Sequence, residues 1–227
     1  MSTAASPSPA PTAAIDADAL LFDNDGTLVD TTSAVDQAWR DFAARFGVDP
    51  EEVLSVAHGV RAEETIRRFL PDGDPAEAAA WLDARELELV HETVALPGAR
   101  ELLTRLTELG APWAIVTSAN ALLVGARLEA AGLPTPPVLV TADDVPAGKP
   151  DPACYLLAAA QLNVDPARCV VVEDTAAGVR AGLAAGARVV VRGDAVGPET
   201  AGLHRLADYR RATVTLHEES PRIRGSW

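Results

Sequence analysis

Lysine is almost missing from this chain of 227 residues, because Lys149 is the single lysine among 19 basic residues. The basic residues are also outnumbered by 33 acidic ones, which gives a formal net charge of −14. Proteins that bind nucleic acid depend on Lys and Arg to neutralise phosphates, so this balance argues against a nucleic-acid partner. No apolar run approaches the roughly 18–20 residues that span a bilayer, so we expect no membrane partner either.

The chain also has only two cysteines, and its first residues do not resemble a secretion signal. Cys154 and Cys169 have neither the CxxC spacing of a zinc site nor the number needed for a disulfide framework, and we expect two buried thiols. The first residues, MSTAASPSPAPTAAIDA, lack the basic start and apolar centre of a secretion signal. Their Ala, Ser and Pro content predicts a disordered arm over residues 1–17, and we expect a cytoplasmic protein.

Short apolar runs alternate with helical patterns along most of the chain. Runs rich in Val, Leu and Ile occupy residues 19–23, 112–117, 137–142, 168–174 and 187–192. They lack the polar–apolar alternation of a half-exposed strand, which is typical of parallel strands buried on both faces. The pattern predicts an α/β fold with a doubly wound parallel sheet, similar to a Rossmann fold.

One connection is much longer than the others. Residues 33–92 show helical periodicity only, with apolar positions such as Trp39 and Phe42 on one face. We expect a helical cap domain over 33–92, inserted into a core domain formed by 18–32 and 93–227. Its position just after the first strand puts it beside the carboxyl edge of the sheet, where open α/β sheets bind ligands, so it is interpreted as a lid.

Two aspartates follow the first strand directly, in the stretch FDNDGT. Because side chains alternate in extended backbone, Asp23 and Asp25 can face the same side while Asn24 points away. Gly26 permits a sharp turn after them. Two converging carboxylates need a cation or a proton between them. Taken alone, the stretch also fits an ordinary turn, since Asp, Asn, Gly and Thr all favour loops.

Acidic residues also end a second strand, where Glu173 and Asp174 close the run RCVVVED. The carboxyl ends of parallel strands meet at one edge of a sheet. Carboxylates from two strand ends therefore form an oxygen-rich site that suits Mg²⁺.

A hydroxyl and an ammonium group are expected at the same edge. Thr117 and Ser118 end a third strand, and Lys149 lies in the loop AGKPDP after a fourth. Together they suit an oxyanion, most naturally a phosphate. A chain that otherwise uses arginine keeps one lysine here, which favours a site that needs a compact point charge.

These separated segments resemble, in order and spacing, the four motifs of the haloacid dehalogenase superfamily of phosphohydrolases. The motifs are DNDGT, the strand end at Thr117, Lys149 in GKPDP, and VVVEDTAAG, and the resemblance covers about residues 18–193. The inserted helices match the subgroup with a cap between the first and second motifs. HGVRAEETIRRFLPD, ETVALPGAR, WAIVTSAN and TADDVPAGKPDPACYL further resemble the glycerol-3-phosphate and 2-deoxyglucose-6-phosphate phosphatases.

The resemblance implies roles for the motif residues. Asp23 attacks phosphorus to form an aspartyl-phosphate, and Asp25 first protonates the leaving oxygen and then deprotonates the hydrolytic water. Mg²⁺ is held by Asp23, the Asp25 backbone carbonyl and Asp174, with Glu173 nearby, directly or through water. Thr117 and Lys149 complete the catalytic set.

It also implies binding roles. The residues expected to bind the phosphate are Gly26, Thr117, Ser118 and Lys149. Substrate-binding roles fall on His58, Gly59, Arg61, Glu64 and Asn120. From the residues alone, the alternative is that His58 caps a helix and Arg61 solvates a helix face, and for Arg61 we favour the pocket.

The expected function is Mg²⁺-dependent hydrolysis of small sugar or polyol monophosphates. Asp25 argues against a dehalogenase, which needs no acid/base group there, and a cap without lysine excludes phosphonate cleavage through a Schiff base. A sugar phosphomutase and an inactive sugar-phosphate-binding protein stay as alternatives. The physiological ester and the choice between monomer and dimer are left open.

Overall fold

Strands and helices alternate along the chain in the computed structural model, which describes residues 15–194, 197–217 and 220–226. The strands are β1 (Ile15–Ala17), β2 (Ala19–Phe22), β3 (Val29–Asp30), β4 (Val94–Ala95), β5 (Trp113–Val116), β6 (Val138–Val140), β7 (Cys169–Glu173), β8 (Arg188–Arg192), β9 (His204–Leu206), β10 (Thr213–His217) and β11 (Ser220–Ser226). The helices are α1 (Thr32–Phe46), α2 (Pro50–Ala57), α3 (Ala62–Phe69), α4 (Pro75–Glu88), α5 (Ala99–Glu108), α6 (Ala121–Ala131), α7 (Ala153–Gln161) and α8 (Ala176–Ala184).

The central sheet has six parallel strands in the order β6-β5-β2-β7-β8-β9. The five predicted apolar runs form β2, β5, β6, β7 and β8, which confirms the predicted α/β class. The chain leaves β2 for one half of the sheet and returns on the other side to form β7. This reversal opens a crevice at the carboxyl ends of β2, β5 and β7, where ligands bind in such sheets.

Both faces of the sheet are covered, which explains why the strands do not alternate in polarity. Leu20 and Phe22 of β2 lie in one hydrophobic cluster, which α5 and α6 complete. Ala19 and Leu21 lie in a second cluster with α7 and α8 on the opposite face. Since successive strand residues point to opposite faces, each must be apolar when helices cover both.

Helices α1–α4, over residues 32–88, form a group that we call the helical group. It has a hydrophobic cluster of its own, which includes Trp39, Phe42 and Ile66. Proline starts two of these helices: Pro75, for example, follows Asp74, whose side chain accepts bonds from two backbone amides of the first turn. The boundaries 33–92 for a cap domain stay a prediction. Within the described ranges, no helix is long and apolar enough to cross a membrane.

Residues 1–14 of the predicted disordered arm lie outside the described part of the chain. The last three residues of the predicted arm, 15–17, are ordered. Residues 15–17 form β1, which pairs with β11 in an antiparallel sheet of β1, β11 and β10. Ala17 and Ile223 are buried there in the main hydrophobic cluster. The alternation Ile-Asp-Ala is too short to mark a strand until its partner, about 200 residues away, is known.

Candidate active site

A buried ion cluster lies at the carboxyl ends of β2 and β7, with Lys149 at its centre. The Lys149 Nζ lies 2.6 Å from Asp23 Oδ1 and 2.6 Å from Glu173 Oε1, and it donates a third hydrogen bond to the Val116 carbonyl at 3.0 Å. All three donors of the ammonium group are therefore used. Burial alone would lower the lysine pKa, but the two carboxylates outweigh it and raise the pKa, so the side chain stays charged.

Glu173 is fully buried and anchored on both oxygens. Its Oε1 accepts from Lys149 and from the Tyr155 hydroxyl at 2.8 Å, and its Oε2 accepts from the Asp174 and Thr175 amides and the Thr175 hydroxyl. Helix α8 comes this close because residue 178 is glycine, where a Cβ would lie 1.7 Å from Oε1. Because five donors already surround it, this carboxylate has little capacity for a direct metal bond. A role of Glu173 at the metal, directly or through water, remains a prediction.

Asp174 approaches the turn after β2. Its Oδ1 accepts from the Thr27 hydroxyl at 3.0 Å, and Arg192 lies 3.8 Å from Oδ2. A Cβ on Gly26 would lie 2.0 Å from Oδ2, and Gly26 has φ of +76°, so both space and conformation require glycine. Burial raises the pKa of Asp174 to about 7, and the neighbouring Glu173 carboxylate adds to the rise.

The same carboxylates fit a divalent cation. Asp23, Glu173 and Asp174 each offer an oxygen within 4.8 Å of the others. Three carboxylates face two cations, Lys149 and the more distant Arg192, and the pKa of Asp23 is raised by burial despite Lys149 beside it. An excess of buried negative charge with oxygen donors suits Mg²⁺.

A cavity of about 310 Å³ lies between the sheet edge and the helical group. Its lining includes ten of the predicted site residues: Asp23, Asp25, Gly26, His58, Gly59, Arg61, Thr117, Ser118, Asn120 and Asp174. Lys149 and Glu173 are buried next to Asp23, outside the lining. The fold thus brings the four predicted motifs together, and their roles remain predictions.

Polar contacts join the sheet edge to the helical group. The Ser118 hydroxyl donates to the Gly59 carbonyl at 3.1 Å. Asn120 caps α6 by accepting from the Leu123 amide at 2.9 Å, and it lines the cavity together with Asp83 of α4. Burial raises the pKa of Asp83. The Ser118 bond to Gly59 therefore helps to hold the helical group over the cavity.

The other predicted substrate residues are engaged at its margin. The Arg61 guanidinium donates at 2.6 Å to the first carbonyl of the loop 145–148, and His58 lies 3.1 Å from Asp36. Glu64 lies against the same loop, and the cavity lining does not include it. Substrate contacts by these three remain predictions.

Arg127 was not among the predicted site residues, although it lies inside α6 and lines the cavity. Its side chain, 6% exposed, lies 3.0 Å from Asp25 Oδ2 and 3.5 Å from Glu86 Oε1 on α4. Burial raises the pKa of Glu86 to about 7, although Arg127 opposes the rise. A signal existed, since an arginine stands in the buried stripe of α6 formed by Leu123, Val124, Arg127, Leu128 and Ala131.

Asn24 points away from the cavity, as predicted, and is fully buried. Neither atom of its amide has a hydrogen-bond partner among the described residues. Such burial costs about 1–3 kcal/mol, so we expect Asn24→Leu, which has the same branched shape, to raise the free energy of unfolding by a similar amount. Urea unfolding measures it. Asn24→Asp is the opposite control, since it buries a charge, and a Leu variant no more stable than the original would contradict the prediction.

Comparison with known proteins gives a consistent result. The family model for haloacid dehalogenase-like hydrolases matches residues 17–186. Hexitol phosphatase A of Escherichia coli (strain K12) is 49% identical over 173 residues, covering 75% of this chain and 80% of that protein. The 2-deoxyglucose-6-phosphate phosphatase 1 of Saccharomyces cerevisiae is 39% identical over 195 residues, covering 77% and 79%. The crystal structure of CbbY from Rhodobacter sphaeroides in complex with phosphate superposes with a TM-score of 0.74 at 29% identity, covering 86% of this chain and 96% of that one.

Proposed function

This chain belongs to the haloacid dehalogenase-like hydrolases, and we propose that it hydrolyses small sugar or polyol monophosphates with Mg²⁺ through an aspartyl-phosphate on Asp23. The observation that carries the proposal is the position of Asp23, whose carboxylate contacts buried Lys149 and opens onto the cavity that Asp25 and Thr117 also line. Relatives named as hexitol and deoxyglucose-phosphate phosphatases support the substrate class.

Asp23 is the nucleophile in this proposal. Its Oδ1 is held by Lys149 at 2.6 Å, which leaves Oδ2 to attack phosphorus. The O–P bond to Asp23 forms while the bond from phosphorus to the alcohol oxygen breaks. Lys149 keeps its charge throughout and offsets the negative charge of the transferring group.

Asp25 is the general acid and base. It lines the same cavity two residues further on, where it gives a proton to the departing alcohol oxygen. The carboxylate that results then takes a proton from the water that attacks the aspartyl-phosphate, so phosphate is released and Asp25 returns to its protonated state. One group therefore serves both half-reactions.

Thr117 lines the cavity and binds a phosphate oxygen through its hydroxyl proton. Gly26 and Ser118 line the same cavity, but the Gly26 amide donates to the Val29 carbonyl at 2.8 Å and the Ser118 hydroxyl donates to the Gly59 carbonyl, so they shape the phosphate pocket in this conformation. Asp23, Asp174 and the Asp25 backbone carbonyl would hold Mg²⁺, which supplies Lewis-acid charge compensation when bound. Glu173 fixes Lys149 through their 2.6 Å contact.

The helical group acts as a cap that selects the alcohol. It contributes Asp83 and Glu86 to the lining, and Asn120 at the start of α6 lines the same cavity. Such acceptors and amides suit the hydroxyls of an uncharged alcohol. The substrate partner is accordingly a small phosphate ester.

The alternatives are less well supported. Mutases of this fold carry a cap arginine for the second phosphate where this chain aligns Ala62, and the neighbouring Arg61 already donates to loop carbonyls. An inactive binding protein would not require Asp23, Asp25, Lys149 and Asp174 all to be retained around one cavity.

Release of inorganic phosphate tests the proposal. With Mg²⁺ and without a bisphosphate primer, we expect turnover of hexitol 6-phosphate and of related sugar and polyol monophosphates. Because the carboxylates need a cation, EDTA treatment should remove at least about 99% of activity and added Mg²⁺ should restore it. Folded protein that releases no phosphate from a broad panel would favour a binding role. Full activity after thorough chelation would contradict the metal assignment.

A further inference from the structure

Arg127 joins two parts of the molecule that are distant in sequence. It lies on α6, and its guanidinium contacts Glu86 on α4 of the helical group and Asp25 on the turn after β2. Both Arg127 and Glu86 are buried, with 5% and 9% of the surface of the whole residue exposed. A buried guanidinium needs carboxylate partners, and here one arginine serves two from different elements.

The contact leaves the Asp25 carboxylate asymmetric. Oδ2 lies 3.0 Å from Arg127, while Oδ1 is buried and has no hydrogen-bond partner among the described residues. The rigid planar guanidinium fixes the direction of the oxygen it binds. Because Oδ2 is fixed by Arg127 and Oδ1 is buried, the whole carboxyl group is held in one direction relative to the cavity that Asp25 lines.

We propose that Arg127 is a positioning residue that orients the Asp25 carboxyl group for proton transfer and links it to the helical group through Glu86. The inference rests on the proposed function, because it assumes that Asp25 acts as acid and base. Because Glu86 and Asp25 share one arginine, the position of α4 over the cavity is coupled to the orientation of the Asp25 carboxyl group.

A purely structural ion pair between α4 and α6 would be complete with Glu86 alone. The additional bond to Asp25, 102 residues away in sequence, has a chemical consequence that can be separated from folding. Misorienting a general acid slows the departure of a poor leaving group, which must be protonated. A good leaving group such as p-nitrophenolate departs without that proton.

The test compares kcat/KM of Arg127→Met on hexitol 6-phosphate and on p-nitrophenyl phosphate, since kcat/KM reports only the steps up to departure of the alcohol. General acid catalysis contributes about 10²–10⁴-fold, so we expect a loss of about 30-fold or more on the hexitol ester and less than about 5-fold on the aryl ester. Glu86→Gln should shift the ratio in the same direction by a smaller factor, since Arg127 keeps Asp25. Arg105→Met, at an exposed position of α5, is the matched control and should leave both values unchanged.

Equal losses on the two esters, or no loss on either, would overturn the inference. If Arg127→Met does not fold, Arg127→Lys keeps the charge but loses the planar fork, and the same selective loss is expected of it. Wild-type protein that releases phosphate from neither ester would instead overturn the proposed function, and this inference with it. Wild-type turnover followed by equal losses would overturn this inference alone.

Discussion

Replacing Asp23 with asparagine is expected to abolish phosphate release and leave the protein folded. An amide cannot form the aspartyl-phosphate, and removal of a nucleophile or its activating partner typically lowers kcat by at least about 10⁴-fold. The same substitution removes one of the carboxylates that fit the cation, so both proposed roles of Asp23 are lost together. Phosphate release from hexitol 6-phosphate with Mg²⁺ measures the effect.

The fold should survive because the amide oxygen can still accept from Lys149, and Glu173 still balances the lysine charge. Removing a carboxylate whose pKa burial raises also relieves unfavourable charge. We therefore expect a urea midpoint no lower than that of the wild type. Asp208→Asn, in a surface pair with Arg210, is the matched control and should retain full turnover. Activity of the Asp23 variant above about a tenth of wild type would place the nucleophile elsewhere.

The sheet and the centre of the site were predictable because their signals are local. Runs such as CVVVE are apolar without alternation, and that pattern alone distinguishes a strand covered on both faces. Once the strands are parallel, their carboxyl ends meet, and the polar residues that follow them must lie near one another. Asp23, Thr117 and Asp174 were therefore predicted to meet at one edge, and all three line the cavity.

What the sequence did not reveal depends on partners far apart in the chain. Arg127 carries no motif, and its importance emerges only when α4 brings Glu86 to it and the turn after β2 brings Asp25. The pairing of β1 with β11 has the same character, since neither short segment marks a strand by itself. The substrate contact of Arg61 stays a prediction, but the hydrogen bond from its guanidinium to a carbonyl 84 residues away could not be predicted from the local sequence.

Lys149 provides the second large effect, because its charge is enclosed by carboxylates and removed from solvent. Lys149→Met should lower the free energy of unfolding by about 3–5 kcal/mol, the usual cost of leaving buried charges without their partner. Asp23 and Glu173 would then face each other inside the protein with no ammonium between them. Turnover should also fall by at least about 10²-fold, because the cation that offsets charge on the phosphoryl group is gone. Urea unfolding and phosphate release measure the two losses.

A second substitution separates stability from catalysis at this position. In Lys149→Met/Glu173→Gln, one of the two uncompensated carboxylates becomes a neutral amide that keeps the shape of glutamate. Its oxygen can accept from the Asp174 and Thr175 amides, and its NH2 group can donate to the Tyr155 hydroxyl oxygen. Replacing both members of a buried pair is often close to neutral, so we expect the double variant to regain at least about half of the lost stability. Its turnover should stay as low as that of Lys149→Met, since no cation returns to Asp23. A double variant as unstable as the single one would show that the lysine does not act by compensating Glu173, and recovery of turnover would show that its charge is not needed for catalysis.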